Sequence, residues 1–207
     1  MVAAPAARRP RVVLTGGPGG GKTTIIRELQ REAVWNTHVL VVPETIAILA
    51  ATGISPRERV FQRVMVAMQA AIEEALDHAL TPDDRRTIIC HRGSLDPLAY
   101  WLVRGWPEEE FYTYTGTSLA WHHARYAAVL QLVTAADGAS DHYQRWPQTH
   151  RGEDPSEAVR IDRLLGQVWG SHPNYFRFHN EGMDWPAKAA AVRQVLSRFL
   201  EGSQTTA

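Results

Sequence analysis

The stretch Arg11–Glu32, RVVLTGGPGGGKTTIIRELQRE, decides the fold. It opens with Val12-Val13-Leu14, a short apolar run of the kind that forms a buried strand. Apolar residues then recur at helical spacing, at Ile25, Ile26, Leu29 and Ala33. Between the two runs, Gly16–Thr23 matches the pattern G-x-x-x-x-G-K-[ST] at every fixed position. The order strand, glycine loop, helix predicts a phosphate-binding loop.

The chemistry of such a loop follows from its residue types. Glycines let the backbone turn tightly so that its N–H groups point at phosphate oxygens, and the start of the helix adds a partial positive charge. Lys22 is expected to reach the β- and γ-phosphates, and the hydroxyl of Thr23 to ligate Mg²⁺. The residues expected to bind ATP are Gly17, Pro18, Gly19, Gly20, Gly21, Lys22, Thr23 and Thr24.

Composition limits the class of protein. The chain has 207 residues, with 22 Lys and Arg against 22 Asp and Glu and no basic stripe, which argues against a nucleic-acid partner. The single cysteine, Cys90, excludes an internal disulfide and suits a reducing cytoplasm. No run of about 18 apolar residues predicts a membrane span. We expect a disordered leader at residues 1–10, one domain over 11–200 and a flexible tail at 201–207.

Four further segments are predicted to be strands: His38–Val42, Thr87–His91, Ala127–Thr134 and Asn174–Phe178. Ligands of open parallel sheets bind beyond the carboxyl ends of the strands. Glu44 and Arg92 follow the second and third strands, so both are candidates for the same crevice. The alternative for Glu44 is a surface loop residue, and for Arg92 a structural ion pair.

Two helical segments also bear on the site. The long helix after Pro56 is predicted to bury a stripe of Phe61, Met65, Met68, Ile72, Leu76 and Ala79. A later helix begins at Asp154-Pro155, a favourable N-cap and first position. It carries Arg160 and Arg163 on one face, so residues 140–170, with Arg151, suggest a basic lid; a solvated charged face is the alternative. The aromatic residues between Tyr100 and Trp121 suit either a pocket wall or packing beneath loops.

The order of these elements resembles the small nucleoside and nucleotide kinases of the P-loop class, and among them the AAA-type ATP-binding proteins related to nicotinamide-riboside kinase and thymidylate kinase. VVPET places Glu44 at the position of an acceptor-side glutamate, and HRGSLDPLAY is similar to the pattern D-R-G-x-x-D-x-x-A-Y. The resemblance implies an α/β fold with a five-stranded parallel sheet, in the order 2-3-1-4-5, between helices and with a helical lid.

His91 departs from that pattern, which has an aspartate at this position. Imidazole offers nitrogen, whereas Mg²⁺ prefers oxygen. We therefore expect Asp96 or Glu44 to reach the Mg²⁺ shell through water, with His91 as a hydrogen-bonding group behind it; the alternative is a site that has lost its metal carboxylate.

These features predict an ATP-dependent phosphotransferase acting on a hydroxyl of a small, nucleoside-like or specialised molecule. Lys22, Glu44, Arg92, Arg160 and Arg163 are its expected catalytic residues, and Thr23 and Asp96 its expected metal residues. A regulatory ATPase that acts through a protein partner and a nucleotide-dependent hydrolase are the alternatives. The acceptor, the choice between ATP and GTP, and the oligomeric state, a homodimer included, are left open.

Overall fold

Five parallel strands form one sheet in the computed structural model of the protein, which describes residues 9–81, 83–143 and 153–201. The strands are β1 Arg11–Thr15, β2 Val39–Val42, β3 Thr87–His91, β4 Ala128–Leu132 and β5 Tyr175–Phe178. Their spatial order is β2-β3-β1-β4-β5, which confirms the predicted order. Every neighbouring pair is parallel, so all five carboxyl ends meet at one edge of the sheet.

Helices connect and cover the strands. They are α1 Lys22–Arg31, α2 Ala33–Asn36, α3 Ile46–Ala50, α4 Arg59–Ala79, α5 Asp96–Val103, α6 Glu108–Thr115, α7 Leu119–His123, α8 Pro155–Trp169 and α9 Trp185–Glu201, with a 3₁₀ turn at Ser140–His142. None of the helices in the described ranges is long and apolar enough to cross a membrane. The predicted leader and tail lie almost wholly outside the described residues.

Side chains of each strand alternate between two buried layers, because successive strand residues point to opposite faces of a sheet. Val13 of β1 packs with α5 and α8, in a layer that includes Leu98, Trp101 and Leu165. Its neighbours Val12 and Leu14 face the other way and pack with α1 and α9. The two layers cover both faces, as expected for a parallel sheet of apolar strands.

The buried face of α4 differs from the predicted stripe. Phe61 and Met65 are buried, but Met68, Ile72 and Leu76 are only half-buried and Ala79 is exposed. Towards the C-terminal half of the helix the buried positions are instead Gln69, Glu73 and Asp77, which we call the polar spine. Apolar periodicity could not find them, because polar residues count against burial unless their partners are known.

Those partners are arginines from elsewhere in the chain. Arg125 donates to Glu73 Oε2 from Nη2 at 2.8 Å and from Nε at 3.1 Å, and the hydroxyl of Tyr126 donates to Glu73 Oε1 at 2.7 Å. Arg11 pairs with Asp77. Loss of one member of such a buried set leaves an uncompensated charge, which costs about 3–5 kcal/mol. The polar spine therefore fixes α4 against the sheet by charge pairing.

Candidate active site

The glycine loop between β1 and α1 is closely surrounded. Gly16 has a φ of 130°, and a Cβ there would overlap the carbonyl oxygen of Leu132 at the end of β4. Gly21 has a φ of 92°, and a Cβ there would overlap the indole of Trp185 at the start of α9. Both positions thus require glycine, for backbone conformation and for space.

Lys22 and the two threonines follow directly. The ammonium group of Lys22 donates to the carbonyl oxygens of Gly16 at 2.7 Å and Gly17 at 2.9 Å, and the residue is only 3% exposed. Its positive charge therefore lies against the loop, where a phosphate is expected. Thr23 is half-buried and Thr24 is exposed.

Asp162 of α8 anchors the loop, and no sequence signal identified it. Its Oδ1 accepts from the amide of Gly17 at 2.7 Å and from the amide of Thr134 at 3.2 Å, and the residue is buried. In the sequence it lies between Arg160 and Arg163, which are both exposed. Helical periodicity could therefore have predicted that Asp162 is buried, but it could not have predicted the contact of Asp162 with the loop. Through Asp162, α8 is tied to the glycine loop and to the end of β4.

Arg92 joins three of the features expected in the crevice. Its Nε donates to Glu44 Oε1 at 3.0 Å, and its Nη1 donates to Asp96 Oδ2 at 3.1 Å. The same Nη1 lies 3.4 Å from the carbonyl oxygen of Gly16 in the glycine loop. The structure thus brings together Glu44, Arg92 and Asp96, which sequence reasoning placed separately at the carboxyl ends of β2 and β3.

The backbone of Arg92 is unusual. Its φ is 82°, the left-handed region that a non-glycine residue adopts at a cost of about 1 kcal/mol or more, and among the described residues no other non-glycine residue has a positive φ. Burial lowers the pKa of the guanidinium, but the carboxylates of Glu44 and Asp96 outweigh it and hold the pKa above its ordinary value. Arg92 therefore stays charged, aimed between two carboxylates.

Asp96 is held from four sides. Its Oδ2 accepts from Thr15 at 2.8 Å besides Arg92, and its Oδ1 accepts from the indole N–H of Trp169 at 2.9 Å and the amide of Gly93 at 3.3 Å. The residue is 1% exposed. A carboxylate engaged in this way positions Arg92, and the expected reach of Asp96 to the Mg²⁺ shell through water stays a prediction.

A cleft opens beside Arg92. It encloses about 640 Å³ including the part open to solvent. Its walls combine apolar and polar groups, among them Phe61, Met65, Tyr100, Gln62, Arg104 and Glu153. Burial raises the pKa of the Tyr100 phenol to about 12, although Arg92 opposes the shift, so the hydroxyl keeps its proton.

Most of the aromatic segment packs rather than lining the cleft. Trp101 and Phe111 are fully buried, and their rings meet edge to face with centroids 5.7 Å apart. Tyr100 is the member of the segment that lines the cleft. Tyr100 therefore forms part of a pocket wall, whereas Trp101 and Phe111 pack in the interior, so each of the two interpretations holds for different residues.

His91 ends β3 beside the glycine loop. Its Nε2 lies 3.1 Å from the hydroxyl oxygen of Thr23, and its Nδ1 lies 3.9 Å from Glu44 Oε2. Within the described ranges, no group of three or more His, Cys, Asp or Glu side chains could hold a metal ion by itself.

The predicted lid is seen only in part. Arg160 and Arg163 lie on α8 and are both exposed, and Asp154 caps this helix by accepting from the amide of Glu157 at 2.9 Å. Arg151 and the rest of residues 144–152 lie outside the described residues. The two arginines are thus placed on the helix that Asp162 ties to the glycine loop.

Three solved structures show a similar fold. Deoxyadenosine kinase from M. mycoides, with the products dCMP and a flexible dCDP bound, aligns with a TM-score of 0.61 at 12% identity, over 91% of this chain and 99% of that one. The same enzyme with bound dATP gives 0.59 at 13% identity, over 91% and 100%. NadR protein in complex with NR gives 0.66 at 14% identity, over 93% of this chain and 52% of that one.

At these identities the likeness shows the fold. No curated protein matches the sequence significantly. A family model described as an AAA domain matches residues 11–183, which include the glycine loop and the Glu44–Arg92–Asp96 group. The chain therefore belongs to this AAA-domain family of P-loop proteins.

Proposed function

We propose that the protein is an ATP-dependent phosphotransferase that transfers the γ-phosphoryl group to a hydroxyl of a small molecule. The observation that carries the proposal is the position of Arg92, which lies within hydrogen-bonding reach of the glycine loop, lines the cleft and holds Glu44. A loop that binds a triphosphate is thereby joined to a cleft that can take an acceptor.

Phosphoryl transfer asks the protein mainly for alignment and for neutralisation of charge. Loop amides and Lys22 hold the triphosphate, and Thr23 would hold a divalent cation, which would supply neutralisation of phosphate charge. Glu44, 18% exposed, accepts a proton from the attacking hydroxyl or orients that hydroxyl. Arg92 fixes the carboxylate of Glu44, and Asp96 fixes Arg92. Arg160 and Arg163 close over the transferring group.

The cleft suggests the chemistry of the acceptor. Phe61, Met65 and Tyr100 offer an apolar, partly aromatic surface, and Gln62 and Arg104 add polar groups. A flat ring joined to a hydroxylated portion suits this combination. Similarity to structures of deoxyadenosine kinase and of NadR with NR supports a nucleoside-like acceptor.

The test is ADP release from ATP against a panel of nucleosides and other hydroxylated metabolites. We expect slow release with ATP alone and a large increase with the acceptor. In Glu44→Gln the acceptor-stimulated rate should fall about 10²–10⁴-fold while nucleotide binding stays. Glu109→Gln, the same exchange on an exposed residue of α6, is the control.

Two results would contradict the proposal. ATP hydrolysis that no acceptor stimulates, combined with a protein partner whose affinity follows the nucleotide state, would support a regulatory ATPase instead. A Glu44→Gln rate within a factor of about three of wild type would remove Glu44 from the reaction.

A further inference from the structure

The cleft is a groove between two antiparallel helices. Gln69, in the second half of α4, donates to the carbonyl oxygen of Arg92 at 3.1 Å, shortly before α5 begins. The guanidinium carbon of Arg59, the first residue of α4, lies 4.9 Å from the ring centroid of Trp101 near the end of α5. The two helices therefore run in opposite directions, and the start of α5 marks the reaction end of the groove.

The length of the groove follows from the residues that line it. Asp96, Tyr100 and Arg104 are spaced four residues apart and so line it from one face of α5 and its C-terminal end. At a helical rise of about 1.5 Å per residue, Asp96 and Arg104 are about 12 Å apart along the axis. On α4 the lining extends over the same number of residues, from Gln69 to Phe61. A ligand that reacts at the first end must therefore be elongated to contact Arg104.

The two ends of the groove differ in charge. At the reaction end the carboxylates of Glu44 and Asp96 share the guanidinium of Arg92, so these three groups sum to one negative charge. Glu153 adds a carboxylate to the lining, and its Oε2 is buried with no hydrogen-bond partner among the described residues. The far end carries the positive charge of Arg104. A ligand therefore binds best with hydroxyl groups towards the carboxylates and acceptor oxygens towards Arg104.

The middle of the groove is apolar. Its lining there includes Phe61 and Met65 of α4 and Tyr100 of α5. Burial, and then the charge of Glu153, raise the pKa of the Tyr100 phenol against the effect of Arg92, which indicates that Glu153 lies near this ring. A flat ring that packs in the middle thus directs its substituents to the two ends of the groove.

Arg104 has no partner of its own. Its side chain is exposed, and in the part of the chain that the structure describes it forms no ion pair or hydrogen bond. Two carboxylates of the next helix are used elsewhere: Glu108 accepts from the hydroxyl of Tyr112 at 3.1 Å, and Glu110 pairs with Arg59 at 2.6 Å. A guanidinium offers N–H donors alone, so a ligand group that binds it must present acceptor atoms.

We propose that Arg104 selects the acceptor by binding the end of the molecule that is remote from the reacting hydroxyl. It favours a ring that carries acceptor oxygens at that end, a carboxylate most and a carbonyl less, and it disfavours a ring that carries an amino group there. The proposal rests on the proposed function, because it places the reacting hydroxyl beside Glu44 and Arg92.

The first experiment measures binding without ATP and without turnover. The probes are para-hydroxymethylbenzoate, para-hydroxymethylbenzamide and para-hydroxymethylaniline, which share a ring and a hydroxyl and differ only in the group at the far end. Ligand-observed NMR gives their dissociation constants. In wild type the benzoate should bind at least about tenfold more tightly than the aniline, with the benzamide between them, because hydrogen bonds between charged groups are the stronger ones.

Variants assign this preference to one side chain. Arg104→Met should reduce the difference between the benzoate and the aniline to less than about twofold, and Arg104→Glu should reverse it. Arg31→Met is the matched control, because Arg31 is also exposed at the C-terminal end of a helix, and it should keep the wild-type constants. Equal binding of the benzoate and the aniline to wild type, no binding of the benzoate, or a preference that persists in Arg104→Met would each overturn the proposal. The wild-type comparison needs no variant that has to fold.

The second experiment uses the acceptor that stimulates ADP release most. Arg104→Met should raise its KM about tenfold and lower kcat much less, because the guanidinium contacts the end of the acceptor that does not react. A best acceptor without an oxygen at its far end, or an unchanged KM, would contradict the role of Arg104. Failure of the proposed function looks different: the probes would bind with the expected preference, but no acceptor would stimulate ADP release.

Discussion

Protonation of His122 should destabilise the protein in mild acid. Its side chain is fully buried, with Nδ1 2.8 Å from Ser94 Oγ and Nε2 2.9 Å from Thr117 Oγ1. Burial, and then the charges of Arg125 and His123, lower the pKa of His122 from 6.5 to about 3. Because the folded pKa lies below the unfolded one, the unfolded state binds more protons between these values, and stability falls as the pH falls through 6.5 towards 3.

The size of the effect follows from the two pKa values. For an unfolded pKa of 6.5 and a folded pKa of about 3, the linked loss of unfolding free energy is about 0.2 kcal/mol at pH 7 and about 2 kcal/mol at pH 5. Ser94 follows Arg92 and Gly93 in the loop after β3, so the same protonation should loosen the segment that carries the candidate site.

Urea unfolding at pH 7 and pH 5 measures the difference. His122→Gln lowers stability at both pH values through lost packing, but its loss between pH 7 and pH 5 should be about 2 kcal/mol smaller than that of wild type. His38→Gln controls for the removal of a histidine from an exposed position. Wild-type and His122→Gln stabilities that fall in parallel between the two pH values would refute the reasoning.

Other variants probe the candidate site. Lys22→Ala should abolish turnover and weaken ATP binding in a titration, because a charge on the β- and γ-phosphates is lost; wild-type activity would contradict the assignment of the loop. Asp162→Ala should lower the unfolding free energy by about 1–3 kcal/mol and raise the KM for ATP, because the Gly17 amide loses its acceptor. Asp162→Asn keeps an acceptor oxygen, so its unfolding free energy and its KM for ATP should stay closer to those of wild type. The double variant Arg160→Ala/Arg163→Ala should slow transfer far more than it weakens acceptor binding, and an unchanged rate with bound ATP would leave the pair as surface charges. Asp96→Asn should lower the acceptor-stimulated rate by disturbing Arg92 and, through it, Glu44; a rate equal to that of wild type would confine Asp96 to the fold.

The sequence predicted the parts of this molecule that depend on local pattern. Apolar runs located all five strands, and the glycine loop located the edge of the sheet at which ligands bind. Glu44 and Arg92 were assigned to that edge because each follows a strand, and the 3.0 Å contact between them agrees with that assignment. Their roles in a reaction stay predictions.

Contacts between distant segments were not predictable in the same way. Asp162 and Trp185 reach the glycine loop from α8 and α9, more than 140 residues along the chain, and neither residue type marks such a contact. The polar spine of α4 lay outside the predicted apolar stripe, because burial of Glu73 depends on Arg125, 52 residues away. Tertiary contacts, rather than propensity, decide both features.

The polar spine also sets how tolerant α4 is to changes in length. A helix that packs through apolar side chains alone can rotate or shift slightly and repack. Buried charge pairs form only at one rotation of the helix about its axis. Gln69 donates to Glu73 at 2.8 Å and to the carbonyl oxygen of Arg92 at 3.1 Å, so that setting is shared with the site. One residue inserted between Gln69 and Asp77 would rotate the following residues by about 100° about the helix axis, and their charges would lose their partners. Chain-length variation within the family should therefore fall in loops such as residues 51–58, and not in the second half of α4.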